Sequence, residues 1–162
     1  MEILNFFEQH YEQVAEIYRQ GIKTGTATFQ EDIPTWENWD SSHLKHSRIA
    51  IFDKEIMLGW AALSPVSSRC VYGGVAELSI YIADFFRGKG IGKMLLQQLI
   101  DDSEANGIWT LQSGIFPDNL GSIKLHESCG FRTIGFREKI GQKNGIWKDN
   151  VIMERRSTTV GI

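Results

Sequence analysis

The stretch RGKGIGKMLLQQLI, residues 87–100, opens with three glycines and two cations and continues as an apolar helical pattern. Ile91, Leu95 and Leu99 recur at helical spacing and predict an amphipathic helix that ends near residue 106. Glycines let backbone N–H groups approach a ligand, and a helix N-terminus adds unpaired donors and partial positive charge. The stretch therefore indicates either a phosphate-binding turn or a tight strand-to-helix connection with solvated Arg and Lys.

The spacing excludes the two best-known phosphate loops. The Walker pattern needs Gly where Arg87 stands and Ser or Thr where Met94 stands. The dinucleotide fingerprint needs Gly-x-Gly-x-x-Gly, whereas this turn has Gly88, Gly90 and Gly92. The turn belongs to neither class.

Length and composition predict one soluble domain. The 162 residues suit a domain over 1–155 with a short tail over 156–162, and 42% are hydrophobic. No apolar run approaches the length of a membrane span, and the N-terminus lacks the features of a secretory signal, which predicts a cytoplasmic protein. The net charge is −3 with scattered basic residues, so neither nucleic acid nor membrane is an expected partner. Cys70 and Cys129 have no metal-ligand spacing, so no metal site is expected.

Local patterns predict the order β, α, α, β, β, β, α, β, α, β, β. Gly21 is the expected end of the first helix, and Thr35 is the expected N-cap of the second. A final hairpin is predicted to turn across GQKNG, residues 141–145. In VAELSIYI, residues 75–82, alternation predicts a strand that carries Glu77 on one face. This order favours an α/β (α+β) fold with a mixed sheet and helices on its faces.

Two motifs resemble the GCN5-related N-acetyltransferase (GNAT) superfamily. The turn at 87–92 after LSIYI is similar to its acetyl-coenzyme A signature, and DNLGSIKLHESCGF, residues 118–131, is similar to its second conserved segment. YRQGIKTGTATF, RCVYGGVAELSIYI and GQKNGIWKD further resemble the phosphinothricin acetyltransferase branch. The resemblance covers nearly the whole chain. It implies a GNAT-type mixed, mostly antiparallel central sheet flanked by helices on both faces.

The resemblance also implies an activity. Acetyl would pass from acetyl-coenzyme A (acetyl-CoA) to the amino group of a small amino acid or analogue of the phosphinothricin, methionine sulfoximine or methionine sulfone type. The expected state is a homodimer without a metal. The sequence leaves open an acetyltransferase for another amine, such as a protein N-terminus, a polyamine or an antibiotic, and a non-catalytic acyl-CoA sensor.

Two residues are candidates for catalysis. An ammonium group must lose a proton before acetyl transfer, and Glu77 is the candidate base, or else a solvated strand carboxylate. His126 is the candidate acid because imidazole can donate a proton near neutral pH, or else it packs beside Phe131. For the acceptor, Arg69 would bind an acidic group and Tyr72 and Phe29 would form a wall and a lid. The alternative for these three is an exposed Arg with two aromatics at the edge of the core.

The remaining candidates would bind the cofactor. The resemblance assigns the main chain of one strand segment to the oxyanion and the pantetheine arm, the glycine turn to the pyrophosphate, and two polar residues to further contacts. The strand segment consists of Ile80, Tyr81 and Ile82. The glycine turn consists of Arg87, Gly88, Lys89, Gly90, Ile91, Gly92 and Lys93. The two polar residues are Asn119 and Ser122.

Overall fold

The chain folds around one seven-stranded sheet. The computed structural model describes residues 1–162. The strands are β1 (Glu2–Asn5), β2 (Ile49–Asp53), β3 (Ile56–Pro65), β4 (Val75–Ile82), β5 (Thr110–Ile115), β6 (Arg132–Lys143) and β7 (Ile146–Arg156). The α-helices are α1 (Tyr11–Lys23), α2 (Trp36–Ser42), α3 (Ile91–Ala105) and α4 (Leu120–Ser128). The strand order is β1-β2-β3-β4-β5-β7-β6, and only the β4–β5 pair is parallel. The predicted mostly antiparallel mixed sheet is therefore confirmed.

Each face of the sheet has its own apolar core. On one face, α3 buries Leu95 and Leu99 against residues of β3 and β4 such as Leu63. On the other face, α1 and α2 bury an aromatic cluster that includes Trp39 and Trp60. Alternate residues of β3 enter opposite cores because successive side chains of a strand point to opposite faces.

Gly21 does not end the first helix, so that prediction was wrong. α1 continues to Lys23, and Gly21 faces the ring of Tyr81. A Cβ at residue 21 would lie 2.7 Å from Tyr81 Cδ1. Glycine is present because α1 approaches β4 closely, and the helix tolerates it at a cost of about 1 kcal/mol.

The last hairpin turns later than predicted. β6 runs through residues 141–143, and the turn consists of Asn144 and Gly145, whose φ angles are 51° and 76°. Asn-Gly with two positive φ angles is the preferred two-residue turn between twisted strands. The Asn144-Gly145 turn therefore fixes the register in which β6 and β7 pair, and residues 141–143 belong to β6.

β4 and β5 separate halfway along β4. Their pairing covers three residues of each strand and ends at Glu77, whereas β4 stays paired with β3 as far as Ile82. Ala83 N–H donates to Leu58 O (2.9 Å). In an antiparallel pair every second residue directs its N–H and C=O groups to the partner strand, so the odd-numbered residues of β4 bond to β3. The backbone groups of Ile80 and Ile82 therefore face a gap between the strands.

The last residues fold back beyond β7. Ser157 is buried, and its N–H donates to Trp109 O (2.8 Å). Thr159 donates to Glu104 at the end of α3 (3.2 Å). These contacts hold the C-terminal segment against α3 and the start of β5.

None of the four α-helices combines the length and the apolar character that crossing a bilayer requires.

Candidate active site

A cavity of about 440 Å³ lies where β4 leads into α3, and we call it the glycine-turn cavity. Gly88 and Gly90 line it with φ angles of +71° and +80°, and a Cβ at either would meet no atom within 4 Å. Left-handed backbone of this kind favours glycine, and the open space leaves the main chain accessible. Other predicted cofactor residues that line the cavity are Ile80, Tyr81, Ile82, Arg87, Gly92, Lys93, Asn119 and Ser122.

The N-terminus of α3 opens into this cavity without a side-chain cap. Its N-cap is Gly90, which accepts the first intrahelical bond from Met94 N–H (3.2 Å). The N–H groups of Ile91, Gly92 and Lys93 have no partner within the chain, as is usual for a first helical turn. These donors, the helix dipole and the Lys93 ammonium fit a phosphate group.

Three side chains of the glycine turn make contacts within the protein or are buried. Arg87 Nε donates to the carbonyl at the end of β4 (3.1 Å), and its guanidinium pairs with Asp84 (3.0 Å). Lys89 Nζ lies 5.4 Å from the centre of the Phe86 ring, and the Ile91 side chain is buried. The side chains of Lys89 and Ile91 do not line the cavity, so Ile91 can contribute only its backbone.

A second cavity, of about 520 Å³, surrounds Glu77, and we call it the carboxylate cavity. Glu77 lies in β4 at the last pair with β5, one strand period before Ser79. Burial raises the pKa of Glu77 above its usual value, and the positive charge of Arg137 partly offsets this. A carboxylate with a raised pKa takes up a proton more readily, which suits a general base.

Arg137 is the only cationic side chain that lines the carboxylate cavity. It lies on β6 opposite Asn150 of β7, and it makes no hydrogen bond or ion pair within the chain. A free guanidinium beside a base can bind a carboxylate or another planar anion through paired hydrogen bonds. Sequence reasoning missed Arg137 because only the β5-β7-β6 pairing brings it near Glu77.

The structure does not bring Arg69 and Tyr72 to either cavity. Both lie in the loop before β4, and Arg69 Cζ lies 5.4 Å from the centre of the Tyr72 ring. The guanidinium is used in a cation–π contact beside the strand rather than facing Glu77. Their role in acceptor binding stays a prediction, and Arg137 is a cation with direct access to the site.

Phe29 lies in the wall of the carboxylate cavity, on the loop between α1 and α2. Its ring packs edge-on against Phe116, with centroids 4.7 Å apart. A Cβ at Gly141 would lie 3.1 Å from the Phe29 ring, so the strand and the loop are in close contact. The buried Lys143 donates to two carbonyls of the loop. These contacts hold the loop over the cavity.

Asn119 and Ser122 line both cavities at the start of α4. Asn119 is the N-cap, and its Oδ1 accepts from Ser122 N–H (3.3 Å). Its Nδ2 donates to Thr26 O (3.3 Å). Asn119 thus joins α4 to the loop above the site, and its position between the cavities leaves it able to contact a ligand as well.

His126 faces the carboxylate cavity from α4, and its ring is buried against Phe131 with centroids 5.1 Å apart. Its Nδ1 lies 2.7 Å from Ser122 O. A carbonyl only accepts, so Nδ1 carries the proton. Nε2 is buried without a partner, and burial lowers the pKa of His126. The imidazole is therefore neutral near pH 7, with a bare Nε2.

The two cavities meet at the gap between β4 and β5. Their walls share five residues: Ala27, Ile80, Tyr81, Asn119 and Ser122. Tyr81 is a fixed part of this junction, since its ring packs against those of Tyr18 and Trp60 with centroids 4.9 and 5.0 Å apart, and burial raises its pKa. A glycine turn with free backbone donors on one side and a half-buried carboxylate on the other fit an enzyme that joins a phosphate-bearing donor to a nucleophile needing deprotonation.

No group of three or more His, Cys, Asp or Glu side chains in the chain is arranged to hold a metal ion.

Comparison with known proteins places this arrangement in a family. The model of the acetyltransferase (GNAT) family matches residues 8–131, and the chain belongs to this family. The family that the sequence motifs predicted is confirmed, and the protein is an acetyltransferase of the GNAT class. The matched region includes Glu77, the glycine turn and His126.

Three relatives illustrate the branch. An L-methionine sulfoximine/L-methionine sulfone acetyltransferase of Pseudomonas paraeruginosa is 29% identical over 147 residues, which cover 87% of this chain and 86% of that protein. A phosphinothricin N-acetyltransferase of Alcaligenes faecalis is 31% identical, covering 88% of this chain and 75% of its own. A crystal structure of a GNAT superfamily phosphinothricin acetyltransferase from Sinorhizobium meliloti, in complex with acetyl-CoA, superposes with a TM-score of 0.87. It is 27% identical and covers 99% of this chain and 90% of that chain.

Proposed function

We propose that the protein transfers acetyl from acetyl-CoA to the amino group of a small amino acid or amino-acid analogue. The observation that carries the proposal is the junction at the β4–β5 gap, where the glycine-turn cavity opens into the cavity of Glu77. The activities of the named relatives support the same acceptor class, since those proteins act on methionine sulfoximine, methionine sulfone and phosphinothricin.

The residues of the glycine-turn cavity fit acetyl-CoA. Free N–H groups at the start of α3 would bind the pyrophosphate, with Lys93 adding positive charge. The backbone of Ile80 and the N–H group of Ile82, which face the gap, would hold the amide-bearing pantetheine arm there, while Ile82 O already accepts from Arg87 Nε. Bound there, acetyl-CoA would supply an acetyl group as a thioester, which is activated toward amines.

On the acceptor side, Glu77 would take a proton from the ammonium group and leave the amine lone pair free to react. Arg137 would bind the acceptor's carboxylate, because it is the free cation beside Glu77. Phe29 would close the site from the loop above. These assignments place the amine close to the base and the acid group on a cation at one end of the cavity.

For His126 we propose a positioning role in place of proton donation. A proton held on Nδ1 by Ser122 O is not available to the cavity, and the lowered pKa keeps Nε2 unprotonated near pH 7. The ring would instead fix α4 and its N-cap Asn119 against the junction.

We also propose that the protein is a cytoplasmic homodimer without a nucleic-acid or membrane partner. The support for a dimer is the edge strand β6, which exposes Ile134, Phe136 and Ile140 to about half of their full extent (46%, 59% and 51%). Light scattering should give twice the mass of the chain, and Phe136→Glu should give the monomer. A monomeric wild type would contradict the proposal. Cell fractionation tests the location.

The decisive experiment is a screen of amines with acetyl-CoA, following release of free thiol and identifying the product by mass. Small amino acids and the three analogues named above should be acetylated, and spermidine, aminoglycosides and a peptide N-terminus should serve as comparison amines. Faster reaction with any comparison amine would replace the proposed acceptor. Acetyl-CoA binding without turnover of any amine would indicate a sensor.

A further inference from the structure

A third cavity adjoins the site on the face of the sheet covered by α1 and α2. Its volume is about 300 Å³, and we call it the aromatic cavity because Tyr18, Trp39, Trp60 and Tyr81 form its walls. Cavities of about this size, with aromatic walls and a few polar groups, hold small ligands or their side chains. Nothing in the proposed roles of Glu77, the glycine turn or Arg137 uses this space.

The aromatic cavity continues from the carboxylate cavity. The two share Gln30, Ser79 and Tyr81 as wall residues. Ser79 lies between Glu77 and Tyr81 on one face of β4, and its hydroxyl has no partner within the chain. Alternate residues of a strand are about 6.6 Å apart, so a group held at Glu77 lies about that distance from the entrance at Ser79. A side chain of about three to five non-hydrogen atoms spans it.

The polar groups of the aromatic cavity are one charged side chain, Asp32, and neutral groups, among them the buried Trp39 Nε1, a donor without a partner. Asp32 lines the cavity at an exposed position and makes no ion pair or hydrogen bond within the chain, so no cation of the protein offsets its negative charge at the rim. His43 Nδ1 donates to Trp39 O (2.6 Å), which leaves Nε2 as an acceptor, and burial lowers the pKa of His43 and keeps it neutral. The faces of the aromatic rings add partial negative charge.

No lysine or arginine lines the aromatic cavity. Arg48 approaches the Trp39 ring (5.1 Å to its centroid), but it is already paired with Asp40 (2.6 Å). Lys143 donates to the main-chain carbonyl of Gln30 and does not line the cavity. An anionic group that entered this space would meet Asp32 without a compensating cation, whereas a neutral donor or a cation would be attracted.

We infer that the aromatic cavity takes the side chain of the acceptor amino acid and selects a neutral or positively charged hydrogen-bond donor at its end over a negatively charged group. This inference rests on the proposed function, since it assumes an amino acid with its amine at Glu77 and its carboxylate at Arg137. The inference predicts that the analogues on which the named relatives act are used at different rates by this protein. Methionine sulfoximine, which is uncharged at its side-chain end, is preferred, and phosphinothricin, which ends in an anionic phosphinate, is disfavoured.

Glutamine and glutamate test the selection because they have the same shape and differ in charge. At saturating acetyl-CoA we expect kcat/KM for glutamine to exceed that for glutamate by about tenfold or more, and methionine sulfoximine to exceed phosphinothricin in the same sense. Asp32→Asn should lower both ratios by about threefold or more, since the carboxylate is the source of repulsion. Asp53→Asn, an exposed aspartate of β2 away from the three cavities, should leave both ratios unchanged.

The entrance is tested by Ser79→Leu, which should lower the ratio of kcat/KM for glutamine to that for alanine, because alanine needs no space beyond Ser79. Glutamate used as well as glutamine, or unchanged charge ratios in Asp32→Asn, would overturn the inference. If no amino acid, including alanine, releases thiol, the proposed function fails instead. In that event calorimetric binding of glutamine and glutamate to Glu77→Gln still decides whether the cavity prefers the neutral partner.

Discussion

The glycine-turn cavity and the carboxylate cavity meet at one strand gap, yet they are built in different ways. About half of the wall of the first comes from one short segment, from the end of β4 to the first turn of α3, and that segment offers free backbone N–H groups; the rest comes from the end of α1 with the residues after it and from the start of α4. The second is formed by side chains from β4, β5, β6, β7, α4 and the α1–α2 loop. A ligand of constant structure can be bound by backbone groups, whereas an acceptor that differs between relatives is selected by side chains that can change one at a time.

The largest effect should come from the base in the carboxylate cavity. Glu77→Gln keeps the size of the side chain but removes the proton acceptor, so kcat should fall by a factor on the order of 100 to 10,000. Acetyl-CoA affinity, measured by calorimetry, should not change, because Glu77 does not line the glycine-turn cavity. Glu138→Gln, on exposed β6 outside both cavities, is the matched control. Turnover close to wild type in Glu77→Gln would remove Glu77 as the base.

The glycine-turn cavity should respond to a single added methyl group. Gly90→Ala places a Cβ in the space where the pyrophosphate would approach, so acetyl-CoA affinity should fall by about tenfold or more. The left-handed backbone also adds strain of about 1–2 kcal/mol. Gly107→Ala is the control, since its φ of +81° matches the +80° of Gly90 and its Cβ would also meet nothing within 4 Å. Equal loss of acetyl-CoA affinity in both variants would show that strain alone is responsible.

Two arginines sharpen the comparison on the acceptor side. Arg137→Gln should raise KM for amino-acid acceptors by about tenfold, as expected for the loss of a charge-assisted contact of about 1.5–3 kcal/mol, and Arg69→Gln should change it less. The measurement is KM for an amino acid and for its methyl ester with each variant, since only the amino acid has a carboxylate that an arginine could bind. An increase confined to Arg69→Gln would restore the sequence-based assignment.

Arg137→Gln should also move the pH profile. Activity is lost as pH falls through the pKa of the base, and Arg137 lowers the pKa of Glu77 against the upward effect of burial. Without that positive charge the pKa of Glu77 rises further, so the acid limb of kcat/KM should move to higher pH. Arg132→Gln, which removes an exposed cation from the same strand, should leave the limb in place. An unmoved limb in Arg137→Gln would show that Glu77 does not sense this charge.

The smallest effect should come from His126. His126→Asn retains a donor that can reach Ser122 O, so kcat should remain within about tenfold of wild type and the basic limb of the pH profile should keep its position. A larger loss, together with a shifted basic limb, would indicate that the imidazole donates a proton during turnover.

The contrast between the cavities also explains what sequence patterns could predict. The glycine-turn cavity includes Gly88, Gly90 and the start of the helix that follows them. Because these residues are neighbours in the chain, local spacing is enough to predict that they form one site. Gly21 was misassigned because its small size serves a contact with Tyr81 on a distant strand. Arg137 and the aromatic cavity were missed because register, rather than sequence proximity, brings them to the site.

The sequence by itself determined the alternation of β4, the glycine turn and the helix that follows it, the N-cap Thr35, and through these the GNAT class of the fold. Those features depend on interactions between residues a few positions apart. Only the tertiary structure decided that β4 and β5 separate after Glu77, that Arg137 rather than Arg69 lines the cavity of that carboxylate, and that burial leaves His126 neutral. Strand pairing, desolvation and charge proximity arise between distant segments, so no local pattern records them.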